Sequence, residues 1–317
     1  MSKHSVLRAA ALALGVCVGL ATSARADSLS FTAFSAPGAS ATYAIGVNSS
    51  DEIVGDADVN GTDIGFLDSN GAFTTFSAPG TSDTLAYGIN DSGEIVGTAF
   101  VNGAFVGFLD SGGAFSTVSL PGATSTEALG INDSGEIVGS ADVNGTDIGF
   151  LDSGGAFTTF SAPGASDTLV YGINGSGQIV GFADVNGTDI GFLDSNGAFT
   201  TFSAPGADET LATGINQSGE IVGSDDVNGT YVGFLDSGGA FSTFSLPGAT
   251  STEALGINDS GETVGDAVVN GDTVGFVASP VTATPEPSSL LLLGLGLIGL
   301  IAVKFARKTG LTRAAHA

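Results

Sequence analysis

The chain has 317 residues, 50 of them glycine, with one cysteine, no tryptophan and a formal net charge of −26. Its seven Lys and Arg lie at the two ends, so residues 27–280 contain no Lys, Arg or His yet hold all of the 33 acidic residues except Glu286. A stretch of about −32 charge excludes nucleic-acid binding, which relies on basic side chains. With Cys17 as the only thiol, residues 27–280 also exclude disulfides, a Ser-His-Asp or Cys-His centre and a His-bearing zinc site.

Residues 1–26 read as a secretory signal peptide. Lys3 and Arg8 give a positive start, Ala9 to Leu20 is apolar, and Ala24-Arg25-Ala26 forms an A-x-A site. Signal peptidase is expected to cut before Asp27.

Residues 27–279 hold six repeats of constant length. Pro37, Pro79, Pro121, Pro163, Pro205 and Pro247 are each 42 residues apart. A longer period is visible too: residues 119–136 recur unchanged at 245–262, so the gene grew by duplicating a three-repeat block. In the repeat from Pro79, four strands are predicted. Leu85 to Asn90 comes first, then a polar Asp91-Ser92-Gly93 turn, then Glu94 to Val101. Asn102-Gly103 is a two-residue hairpin signal before Ala104 to Leu109, and a Gly-rich turn leads to Ala114 to Leu120. Pro121-Gly122 then breaks the ladder.

Four antiparallel strands in such a length make one propeller blade. The sixth repeat stops after its third strand, Val274 to Ala278. The missing fourth strand stands at the other end, Ser28 to Ala36, where Phe31 and Phe34 match Phe73 and Phe76 one period later. The predicted fold is therefore all-β: a six-bladed β-propeller of four-stranded antiparallel blades, closed by the N-terminal strand. A β-solenoid is the alternative, since equal repeats suit it too. A solenoid, however, has no reason to begin mid-repeat and end at the complement.

The repeated Gly-Ile-Asn-x-Ser-Gly-x-Ile-Val-Gly, clear at Gly88–Gly97, Gly130–Gly139, Gly172–Gly181 and Gly214–Gly223, resembles the extracellular HAF repeat family. Gly46–Gly55 departs at Asp51, the sixth copy has Thr263, and Val-Gly-Phe or Ile-Gly-Phe replaces the eponymous His-Ala-Phe. The resemblance implies an extracellular setting and carries no chemistry over to particular residues.

Beyond a linker, 280–287, Pro285-Glu286-Pro287 precedes an apolar run at 288–303, predicted as one C-terminal transmembrane helix. Lys304, Arg307 and Lys308 follow, in a basic tail (304–317) that stays cytoplasmic. This order resembles the PEP-CTERM sorting signal, whose family is cut by the membrane protease exosortase. The resemblance implies an inner-membrane-anchored intermediate that then moves to the outer surface or the extracellular space. Gly294, Gly296 and Gly299 fit a dinucleotide pattern by spacing, but a membrane helix is the wrong context for it.

Carboxylates are the only acid–base groups in the repeats apart from four Tyr, so a two-carboxylate glycoside hydrolase is the one catalytic option. The acids read as repeating turn and strand-end positions, such as Glu94, Glu136 and Glu220, and none is seen to break the symmetry. No enzyme is expected. Asp56-x-Asp58-x-Asn60-Gly61-x-Asp63 resembles the front of a calcium loop, without its final bidentate Glu. Asp58/Asp63, Asp142/Asp147 and Asp184/Asp189 are expected to oppose each other across hairpins, where calcium would relieve their repulsion. The favoured function is a non-enzymatic cell-surface or extracellular-matrix protein associated with exopolysaccharide. The alternatives are a lectin-like glycan binder and, below it, the carboxylate-only hydrolase.

Overall fold

The computed structural model describes residues 29–281, all of them strand, turn or irregular, with no helix. The signal segment with Ala24, Ala26 and Asp27 lies outside the described residues, as do Pro285 to Lys308 and the expected membrane helix.

Twenty-four strands follow in chain order. The first, β1 (Leu29–Phe34), stands before the first full set: β2 (Ala41–Val47), β3 (Glu52–Asp58), β4 (Asp63–Ser69) and β5 (Ala72–Phe76). The second set is β6 (Thr84–Ile89), β7 (Glu94–Val101), β8 (Ala104–Ser111) and β9 (Ala114–Val118). Next come β10 (Ser125–Ile131), β11 (Ile137–Asp142), β12 (Asp147–Ser153) and β13 (Ala156–Phe160). Then β14 (Thr168–Ile173), β15 (Gln178–Asp184), β16 (Asp189–Ser195) and β17 (Ala198–Phe202). The fifth set is β18 (Glu209–Ile215), β19 (Glu220–Asp226), β20 (Tyr231–Ser237) and β21 (Ala240–Phe244). The chain closes with β22 (Ala249–Ile257), β23 (Thr263–Val269) and β24 (Asp272–Pro280).

The strands form a propeller-like set of four-stranded antiparallel blades, and the ladders depart from the expected six separate sheets. Four sheets have four strands; the remaining strands share one eight-stranded sheet. The cause is local. Ala41 of β2 bridges Thr273 of β24 in parallel, which joins β22–β24 and β1 to β2–β5 through a single residue pair. The opening strand β1 pairs antiparallel with β24, from Leu29 opposite Pro280 to Phe34 opposite Gly275. This contact between the two ends is incompatible with the linear rod of the solenoid reading.

The core lies between neighbouring blades. Val54 packs with Ala86, Ile89 and Phe108 of the next repeat, and Val264 packs with Ala44, Val47 and Phe66 across the seam. Each such Val or Phe contributes roughly 1.5–3 kcal/mol on burial. Glycine sets the closeness of the inner strands. A Cβ on Gly55 would sit 1.8 Å from the Tyr43 carbonyl oxygen, and each equivalent Gly meets the same obstruction. The crossings between repeats are pinned by one threonine each: Ala36 N–H donates to Thr42 Oγ1 at 3.0 Å, and Ala78 N–H to Thr84 Oγ1 likewise.

Candidate functional site

Six inner strands, β2, β6, β10, β14, β18 and β22, surround a central axis. At the end where they finish, one asparagine per repeat makes a hydrogen-bonded circle. Asn48 Nδ2 donates to the Asn90 carbonyl at 3.3 Å, and the step repeats through Asn132, Asn174 and Asn216. Asn216 then donates to Asn258, and Asn258 Nδ2 returns to the Asn48 carbonyl at 3.2 Å. The Asn48 Oδ1 accepts the N–H groups of Ser50 and Glu52, so the polar group that builds the circle also builds the following turn.

Directly inside this circle the axis widens into a cavity of about 170 Å³, lined by the last three residues of each inner strand. Its wall includes Ile45, Tyr87, Leu129, Tyr171, Thr213 and Leu255, a single repeat position occupied in six different ways. Two residues earlier on the same strand face stand Tyr43, Leu85, Glu127, Leu169, Leu211 and Glu253. Opposite these on the adjacent strand come Asp56, Thr98, Ser140, Phe182, Ser224 and Asp266. The asparagines and the Gly-Ile or Gly-Val pairs before them are uniform; the repeats differ at the first wall position and in the two layers beyond it.

The expectation that no acid breaks the repeat symmetry is therefore corrected. Glu127, Glu253, Asp56 and Asp266 all do so, near the cavity. Asp56 and Asp266 are buried and Glu127 and Glu253 half-buried, and residues 27–280 hold no Lys, Arg or His to offset the charge. Burial, then Asp63 and Asp266, pushes Asp56 up to about 7. Burial, then Glu253, pushes Asp266 up to about 7. Glu127 is raised by burial and by Asp147, and Glu253 by burial. The tyrosines stay neutral: burial, then Glu127, raises Tyr171 to about 12 and moves Tyr87 in the same direction. The Tyr171 ring stacks on Phe182, centroids 5.4 Å apart and planes 17° from parallel.

The calcium residues divide. Asp58 and Asp63 oppose each other as expected, as do Asp142/Asp147 and Asp184/Asp189. Asp58 Oδ1, however, accepts the Gly61 N–H at 2.7 Å, and Asp142 and Asp184 cap their own turns at the same distance. Asn60, with φ of 57°, takes the left-handed turn position. Asp56 is not at the hairpin tip; it lies opposite Tyr43, towards the axis. Among the described residues no three His, Cys, Asp or Glu side chains converge as a metal-ligand group.

Residues 283–308 match the PEP-CTERM protein-sorting motif. The match supports an exported protein sorted by exosortase, a membrane protein. No curated protein sequence matches the chain. Solved structures share its fold at low identity. Virginiamycin B lyase from Staphylococcus aureus aligns with TM-score 0.51 and 14% identity, over 80% of this chain and 100% of that one. TolB from Acinetobacter baumannii gives 0.52 and 12%, over 75% and 63%. A putative gluconolactonase gives 0.52 and 12%, over 80% and 92%. At such identities the likeness concerns the fold alone.

Proposed function

We propose that this chain is an exported, non-enzymatic binding propeller, delivered to the cell surface or extracellular matrix through its C-terminal sorting segment. The observation that carries the reading is the sorting-motif match beginning at residue 283, directly beyond β24, which ends at Pro280. The eight-stranded sheet is read as two blades zipped by the Ala41–Thr273 bridge, which gives six HAF-type units around the axis. The uniform asparagine circle is then the structural closure, and the cavity inside it, with its varied wall position, is the binding site.

The test is location. An epitope placed in the repeats is followed by fractionation in cells with and without exosortase. With the protease, a shortened product is expected at the outer surface or in the matrix. Without it, a longer form stays in the inner membrane. The same size and location in both strains would overturn the proposal.

A glycan-binding reading has one observation in its favour. Tyr87 and Tyr171 border the cavity, where sugar rings could stack. A glycan array tests it, and loss of a positive signal in Tyr171→Leu would assign that signal to the cavity.

A further inference from the structure

The two identical eighteen-residue segments at 119–136 and 245–262 provide an internal comparison. They give β10 and β22 the same sequence, including Glu127 and Glu253 at the same position. Their surroundings differ. The inner strands flanking β10 are β6 and β14, which bring Tyr87 and Tyr171 to the cavity on either side of Leu129. The inner strands flanking β22 are β18 and β2, which bring Thr213 and Ile45. Glu127 stands two residues before Leu129, close enough to both tyrosines for its charge to raise their phenols. No Lys, Arg or His exists between residues 27 and 280 to neutralise it.

We propose that the axial cavity binds an organic ammonium cation, held against Tyr87 and Tyr171 and neutralised by Glu127. Ring faces attract cations through their quadrupole, most strongly where water is displaced. An ammonium needs one carboxylate and aromatic walls, which this arc supplies. A bare metal ion favours several converging carboxylates, and no three His, Cys, Asp or Glu side chains converge among the described residues. The opposite wall, Leu255 and Ile45, is apolar and accepts the hydrocarbon body of the ligand.

The inference rests on reading the cavity as the binding site, and its test is separate from the sorting experiment. The exported chain is titrated calorimetrically with choline and with its neutral carbon isostere, 3,3-dimethyl-1-butanol. Saturable binding of choline is expected, with the isostere weaker by about tenfold or more. Glu127→Leu should weaken choline by a similar factor, and Tyr87→Leu and Tyr171→Leu each by a smaller one. Leucine already stands at these positions in other repeats, as Leu85 and Leu129. The variants therefore use residues the fold carries, and circular dichroism verifies each. Glu253→Leu, on the identical strand but with Thr213 and Ile45 rather than tyrosines beside it at the cavity wall, should weaken choline far less than Glu127→Leu. Equal binding of choline and the isostere, absence of saturation, or equal effects of the two Glu variants would each overturn the proposal. A mislocalised protein that still binds choline would sink the surface reading and leave this one standing.

Discussion

Asp225 sits where the other repeats carry alanine: Ala57, Ala99, Ala141, Ala183 and Ala267. It is 1% exposed, and its Oδ1 has no hydrogen-bond partner among the described residues. Burial pushes its carboxyl up to about 6, and a hydrogen bond with Thr210 pulls the other way. An unsatisfied buried polar group costs about 1–3 kcal/mol. Asp225→Ala should therefore raise stability by that amount, read as a higher urea midpoint with unchanged slope; a lower midpoint would contradict the account. The residue is hidden in the sequence because Asp225-Asp226 looks like one more acidic strand end. The same holds for Glu127 and Glu253. Acids in register, such as Glu94 and Glu136, are easy to see, and they make turns. The ones that matter to the cavity show only when the repeats are aligned and the varying positions are placed on the axis. That placement needs the fold.

At the level of strands, much was legible. Asn-Gly at Asn102 predicted a hairpin, and Asn102 adopts φ of 52° between β7 and β8. The orphan segment predicted from Phe31 and Phe34 is β1. Those two rings show what the strand does: Phe31 meets Phe244 at 6.1 Å on one side, and Phe34 meets Phe73 at 5.9 Å on the other. It thus ties the last-formed blade to both neighbours as well as to β24. Removing residues 28–36 should lower stability by roughly 2–4 kcal/mol, from partial burial of two Phe, and lower the melting temperature. Unaltered melting would refute closure by this strand. The joined eight-stranded sheet was not legible, because it depends on one bridge between Ala41 and Thr273 that no pattern of polar and apolar residues encodes.

For the whole molecule, acidity governs stability. Asp56 and Asp266 are raised to about 7 and Asp225 to about 6, from a reference of 3.8. The folded chain therefore binds more protons than the unfolded chain between about pH 4 and pH 7. Stability should fall as pH rises through that window. Melting temperatures should be higher at pH 5 than at pH 8, and repulsion among the remaining acids acts in the same direction. Replacing Asp56 by Thr and Asp266 by Ser, which stand at the same position in other repeats, should flatten the dependence; an unchanged slope would assign it elsewhere. The pairing of Leu29 with Pro280 has a consequence of its own. A nascent polypeptide delivers Leu29 before every other strand of the propeller and must hold it unpaired until Pro280 follows. Completion of the fold is therefore timed by the arrival of its final strand, moments before the sorting segment, so a translocation stalled short of β24 leaves a sheet edge bare to proteases and chaperones.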